Sequence, residues 1–299
     1  VQVAGLSVID AIAAGHRHYL ALDTDTGNLY AWGHNGSGQV GNGGLLDVTT
    51  PVLVLANVAA ISAGDGFSLA VKTDNTLWSW GRNTHGQLGQ GNTADLSTPT
   101  PVAGVTTASK VAAGGQHSLV LLTGNTLLAM GNNSFGQLGL GTTISTSTPT
   151  AVPGLSAMTA VSAGYFHSSG LSASQVSLWG RNHEGQCGGG SSSSVSYSSP
   201  QVLTGLPSTP VSVSCGYHFT VFKLSDNTTI GTGSNSDGQL DGISVTDQDG
   251  SPKFLSPEYI PLLPIPADHS APAPDPMTFS VAPVGVGGNS VAMTATTAT

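Results

Sequence analysis

Short apolar runs alternate with polar turns along most of the chain, and none is long enough for a helix of several turns. Residues 60–80 show the pattern. Ala60-Ile61-Ser62-Ala63 and Ser68-Leu69-Ala70-Val71 read as two strands, Asp74-Asn75 as a turn, and Thr76-Leu77-Trp78-Ser79-Trp80 as a third, alternating strand. Pro101-Val102 is read as the start of a short outer strand, because a residue without an N–H suits a sheet edge.

The pattern recurs. Gly33-His34-Asn35-Gly36-Ser37-Gly38-Gln39-Val40-Gly41 returns from Gly81, Gly131, Gly180 and Gly233, at intervals of 48, 50, 49 and 53 residues. A second marker keeps the same step: Ala14-Gly15, Ala63-Gly64, Ala113-Gly114, Ala163-Gly164 and Cys215-Gly216, with a sixth copy at Val286-Gly287-Gly288-Asn289-Ser290. Four short strands per repeat of about 50 residues describe a propeller blade, which buries its faces only against neighbouring blades. The constant residues have definable tasks. Glycine permits positive φ and close backbone approach. Asn35, Asn83, Asn133, Asn182 and Asn235 suit self-bonded turns and the left-handed region. The Gln offers a donor and an acceptor to loop backbone, and the Leu or Val after it is expected to plug the core between blades.

Composition removes several classes of function. With 7 Lys+Arg against 16 Asp+Glu and a net charge of −9, the chain lacks the basic face of a general nucleic-acid binder. No apolar run approaches 18 residues, so no membrane-spanning helix is expected. Gly 41 and Pro 17 of 299 residues stay below the about 25–30% typical of low-complexity disorder. Low Lys with abundant Ser and Thr suits an extracellular or cell-surface location. The chain begins without Met or a signal-like segment and is read as processed or as a fragment.

The Trp32-Gly33-x-Asn-x-x-Gly-Gln-Val-Gly loop and the Ala-Ala-Gly-x-x-His marker resemble the regulator-of-chromosome-condensation repeat, over roughly residues 1–242 and 280–294. The resemblance implies a β-propeller, commonly of seven blades. The chain has five complete units and one partial unit. It is therefore expected to be one all-β propeller domain over 1–299, six-bladed with seven as the alternative. A Pro-rich insertion is placed at 243–279. Val1-Gln2-Val3-Ala4-Gly5-Leu6 is read as an outer strand that closes the ring.

Candidate chemistry lies mostly in the loops. His18, His117 and His167 share one repeat position with Phe67 and Phe219, which marks packing rather than catalysis or metal binding. Side chains that vary between loop copies, namely His34, Arg82, His85, Phe135, Arg181, His183, Glu184 and Asp237, are the expected partner-binding set, with solvated loop tips as the competing reading. Cys187 and Cys215 replace core-facing Leu and Ala in adjacent units. Either a disulfide or two buried thiols would fit. No cofactor is expected. Asp247-Gln248-Asp249-Gly250 has some character of a calcium loop, but no helix flanks it and Pro252 and Pro257 interrupt it, so a solvated turn is preferred. Of three sequons, Asn227-Thr228-Thr229 is the best glycosylation acceptor, making Asn227 a candidate glycan site. No catalytic motif is present, and the chain is read as a non-enzymatic protein-interaction or scaffold module. The alternative is self-association into an oligomer or filament by β-strand addition. Guanine-nucleotide exchange, performed by the family's nuclear member, fits poorly with this charge and the missing basic tail. A secreted enzyme inhibitor, which the repeat supports in bacteria, is a variant of the binding reading.

Overall fold

A computed structural model describes residues 3–6, 8–188 and 195–240 and, beyond them, the backbone of four strands at 245–246, 252–259, 278–280 and 294–296. The first sheet is β1 (Ala11–Ala14), β2 (His18–Asp23), β3 (Asn28–Gly33) and β4 (Val48–Leu55). The second is β5 (Val58–Ala63), β6 (Phe67–Lys72), β7 (Leu77–Gly81) and β8 (Leu96–Pro101). The third is β9 (Ala108–Ala113), β10 (His117–Leu122), β11 (Leu127–Gly131) and β12 (Thr146–Ala151). The fourth is β13 (Met158–Ala163), β14 (His167–Ser172), β15 (Val176–Gly180) and β16 (Tyr197–Val202). The fifth comprises β17 (Pro210–Cys215), β18 (Phe219–Leu224) and β19 (Thr229–Ser234), then a short β20 (Val245–Thr246) paired outside β21 (Pro252–Tyr259). A separate antiparallel pair joins β22 (Thr278–Ser280) to β23 (Thr294–Thr296). The first four sheets are four-stranded antiparallel meanders, the fifth departs from this order only at its outer edge, and the first strands of successive sheets touch one another in order.

The strands of the second repeat lie where the alternation places them, with one correction. Pro101 ends its outer strand instead of beginning it. The outer strands share a different proline: Pro51, Pro99, Pro149, Pro200 and Pro257 occupy one register position, beside a break in the ladder to the third strand. A bulge tolerates a residue that cannot donate. The same position corrects the Pro-rich insertion, because the outer strand of the fifth sheet lies inside 243–279. Of the expected N-terminal strand, Val1 and Gln2 lie outside the described residues and Val3–Leu6 is not in a strand. Ala4 and Gly5 form a turn, with Gly5 at φ 84°, matching the turn at Gly104 that follows β8. The sixth marker, Val286–Ser290, and Asp247 and Asp249 lie outside the described residues.

The core sits between sheets. The residue after each loop Gln is buried there: Val40 against Ile61, Ala70 and Trp80, Leu88 against Val111, Val120 and Met130, and Leu138 against Val161 and Trp179. Cys187 fills the same position against Val213 and Phe222. Its thiol donates to the Arg181 carbonyl at 3.4 Å, while that of Cys215 donates to Ser169 Oγ at 3.3 Å. Both are free, so the disulfide considered from sequence is not formed, and burial pushes both thiols above their ordinary pKa.

Polar staples cross the same gaps. Ser68, Ser118, Ser168 and Thr220 each donate a hydroxyl to the carbonyl of the preceding loop's Gln39, Gln87, Gln137 and Gln186, at 2.7–2.9 Å. Trp80 and Trp179 add indole donors to Gln39 and Gln137. His18, His117 and His167 reach these hydroxyls from the preceding sheet at 2.8–2.9 Å. Because each hydroxyl spends its proton on a carbonyl, the imidazole Nε2 carries the hydrogen and donates. These histidines are fully buried packing residues, as their exchange with Phe indicates.

The marker glycines stand where the innermost turns meet. A Cβ on Gly114 would meet the ring of His117 and, at 2.6 Å, the carbonyl oxygen of Gly164 in the next sheet. The relation repeats from Gly15 to Gly64 and from Gly64 to Gly114.

Two outcomes follow from this packing. Gly114→Ala is expected to lower stability in urea by about 1–3 kcal/mol through overpacking, whereas Gly124→Ala, where a Cβ meets nothing within 4 Å, leaves it unchanged or slightly raised. Burial holds His18 at about 4 and His117 and His167 at about 3, below their ordinary 6.5. The unfolded chain therefore binds protons that the folded chain refuses, and stability falls as pH drops from about 6.5 towards those values. His117→Phe, which sheets two and five already carry at this position, should reduce the loss of stability between pH 7 and pH 5 by about 2 kcal/mol relative to the parent chain. Urea melts at the two pH values measure it.

Candidate functional site: the turn and loop face around the axis

The long loops after each third strand are locked by their own side chains. Asn35, Asn83, Asn133, Asn182 and Asn235 accept, through Oδ1, the N–H five residues later at 2.8–3.0 Å. None of these asparagines adopts positive φ, so the left-handed role expected for them is corrected to that of a loop-spanning acceptor. The Gln side chain accepts the N–H two residues before it, as Gln87 does from His85 and Gln137 from Phe135, both at 2.9 Å. The loop backbone is thereby satisfied, and the variable side chains are held on a fixed frame.

The same end of the sheets carries the short turns between first and second strands. Five marker triplets, from Ala14-Gly15-His16 through Asp65, Gly115 and Tyr165 to Cys215-Gly216-Tyr217, surround one cavity of about 280 Å³ on the axis. The residue after the marker glycine is His16, Asp65, Gly115, Tyr165 and Tyr217 in the five sheets, and these residues make the candidate site. The Tyr165 hydroxyl donates to Asp65 Oδ2 at 2.9 Å, joining sheets four and two across sheet three. It passes over Gly115, where a Cβ would lie 2.7 Å from the Tyr165 ring. Burial, then the bond to Asp65, raises the Tyr165 phenol to about 12, so it remains a donor. His16 Nδ1 stands 3.4 Å from Asp65 Oδ1, and Arg82 Nη1 stands 3.8 Å from Oδ2.

Aromatic contacts continue outward. Tyr165 packs on Tyr217 at 4.3 Å and on Phe166 at 4.5 Å, and Phe135 meets Phe166 at 5.1 Å. Phe135 also takes the edge of His183 at 5.7 Å and the Arg181 guanidinium at 5.6 Å. Arg181 Nη1 lies 3.3 Å from His218 Nε2 and Arg181 Nη2 lies 3.7 Å from Glu184. Burial, then the Arg181 charge, lowers the pKa of His218, which keeps the ring a neutral acceptor. His85 is lowered by burial and by Arg82.

Of the loop residues singled out from sequence, Arg82, Phe135, Arg181, His183 and Glu184 enter this connected cluster. His34 bonds Gln39 within its own loop at 2.8 Å, and Asp237 is exposed beside Ser236. Asn227 is exposed at φ 67° in a hairpin turn, an accessible position for a sequon, whereas the sequon residue Asn35 is buried. Reading the loops alone missed Asp65, Tyr165, Phe166, Tyr217 and His218. Their signal was present, because the two positions after each marker glycine vary as much as the loop tips do. Among the described residues, no three His, Cys, Asp or Glu side chains are placed to share a metal ion, and no helix is long and apolar enough to cross a membrane.

Similar folds have been solved. Prp20p of Saccharomyces cerevisiae is 23% identical, with a TM-score of 0.74, over 86% of this chain and 66% of its own. Human WBSCR16 is 22% identical, with a TM-score of 0.72, over 85% and 67%. The ultraviolet-B receptor UVR8 of Arabidopsis thaliana is 43% identical over 75 residues, which are 24% of this chain and 17% of the receptor. The chain thus spans about two thirds of these solved relatives and a small part of the plant receptor. A family model described as an RCC1-like domain matches from residue 2 to residue 289, a range that takes in all five sheets and their loops, and the chain belongs to the RCC1-like domain family.

Proposed function

We propose that this domain is a protein-binding scaffold and that the turn and loop face around the axis is its recognition surface. The observation that carries the reading is where variety falls. The repeat holds Asn, Gln and marker Gly constant for packing, while the positions between them gather Asp65, Arg82, Phe135, Tyr165, Arg181 and Tyr217 into one connected cluster. Tyr and Arg are the residue types that dominate binding hot spots, and a pre-ordered surface loses little entropy on association. Tyr217 is 56% exposed, and the Arg82 side chain 37%, so both are available to a partner. The similar yeast protein Prp20p has been described binding Gsp1p and histones and in a complex with Kap60, which supports a protein as the partner class here.

The double variant Arg82→Ala/Tyr217→Ala should lose the partners that the parent chain captures from its native source, with its thermal midpoint unchanged. Undiminished capture by the variant would place recognition elsewhere on the molecule.

A further inference from the structure

We propose that the axial cavity receives one basic side chain, a lysine or an arginine, of the protein partner. The inference rests on the face being the recognition surface and names what its centre takes. Among the described residues lining the cavity, Asp65 is the one carboxylate and His16 the one basic residue. The rest of the lining is alanine, glycine, Cys215 and the two tyrosines. The Asp65 carboxylate is unevenly satisfied. Oδ2 accepts the Tyr165 hydroxyl at 2.9 Å, while Oδ1 has His16 at 3.4 Å and no hydrogen bond among the described residues. Arg82 approaches at 3.8 Å, an ion-pair distance that an entering ammonium or guanidinium can replace with a hydrogen bond. Tyr165 and Tyr217, 4.3 Å between centroids and tilted 32°, both line the cavity, and an aromatic lining is compatible with a cation.

Size and charge agree with this occupant. A cavity of about 280 Å³ lies just under the range of small-molecule pockets, about 300–1,000 Å³, and suits a single side chain. A neutral group would expel water from Asp65 without replacing its hydrogen bonds, and an anion would meet a carboxylate. The net charge of −9 favours the approach of a basic partner.

The test is a nuclear magnetic resonance titration of the intact chain with three tripeptides, acetyl-Gly-Lys-Gly-amide and its norleucine and glutamate counterparts. The reporters are the backbone amides of Gly64, Gly164 and Gly216. The lysine peptide should shift them saturably and the other two should not. Asp65→Asn, which retains an acceptor for Tyr165, should weaken the response by about tenfold or more, and Tyr217→Leu should weaken it with Asp65 intact. Equal response to norleucine, an unaltered response in Asp65→Asn, or no response to lysine would overturn the proposal. Capture of the native partner separates the two readings. If Asp65→Asn retains the partner that Arg82→Ala/Tyr217→Ala loses, the face binds protein without a basic side chain at its centre, and this inference fails while the broader one stands.

Discussion

The carbonyl of the loop glutamine is the point on which the sheets are assembled. Gln39 and Gln137 each place a backbone oxygen in the gap to the next sheet, where a hydroxyl and a tryptophan indole donate to it. Gln87 and Gln186 receive the hydroxyl alone. A buried carbonyl with no donor is costly, so the loop of one sheet and the strand of the next are satisfied only together. The Leu, Val or Cys that follows the glutamine enters the same gap, which couples the polar staple to apolar burial. The innermost glycines then set how closely the turns approach around the axis, since no Cβ fits between a marker glycine and the next one's carbonyl.

A frame built this way leaves its intervening positions without a structural task, and there the chain varies. Gly115 illustrates the consequence. One repeat gives up its side chain so that Tyr165 lies across it and reaches Asp65 two sheets from its own. The cluster of Phe135, Phe166, Arg181 and His218 is likewise made between a loop of one sheet and a turn of the next. The contacts that join this cluster are made mostly between neighbouring repeats.

Much of the fold was legible because period and side-chain type answer to local rules. Alternation located the first, second and third strands of the second sheet, within residues 58–81, and the exchange of His with Phe identified a packing position whose rings are fully buried at His18, Phe67, His117 and His167. The outer strands were less legible. Those of sheets two to four are Thr-, Ser- and Pro-rich and only half-buried, so Pro99, Pro149 and Pro200 carry no hydrophobic signal to mark a strand. Half of the site was visible in the loops, and the other half sat beside the marker glycines, where a strong packing signal drew attention from the variable residues after it.

From the sequence alone followed the repeat, the antiparallel meander within each unit and the identity of the residues that face the gaps. These depend on spacing and on which side chains water rejects, and both are properties of a linear chain. The tertiary structure alone decided which variable residues meet. Asp65 and Tyr165 are separated by 100 residues and come into contact because successive sheets turn about one axis, and Cys187 and Cys215 are free, their thiols donating to different partners. Such meetings depend on the angle between sheets, which is the summed result of packing across every gap and is encoded at no single position.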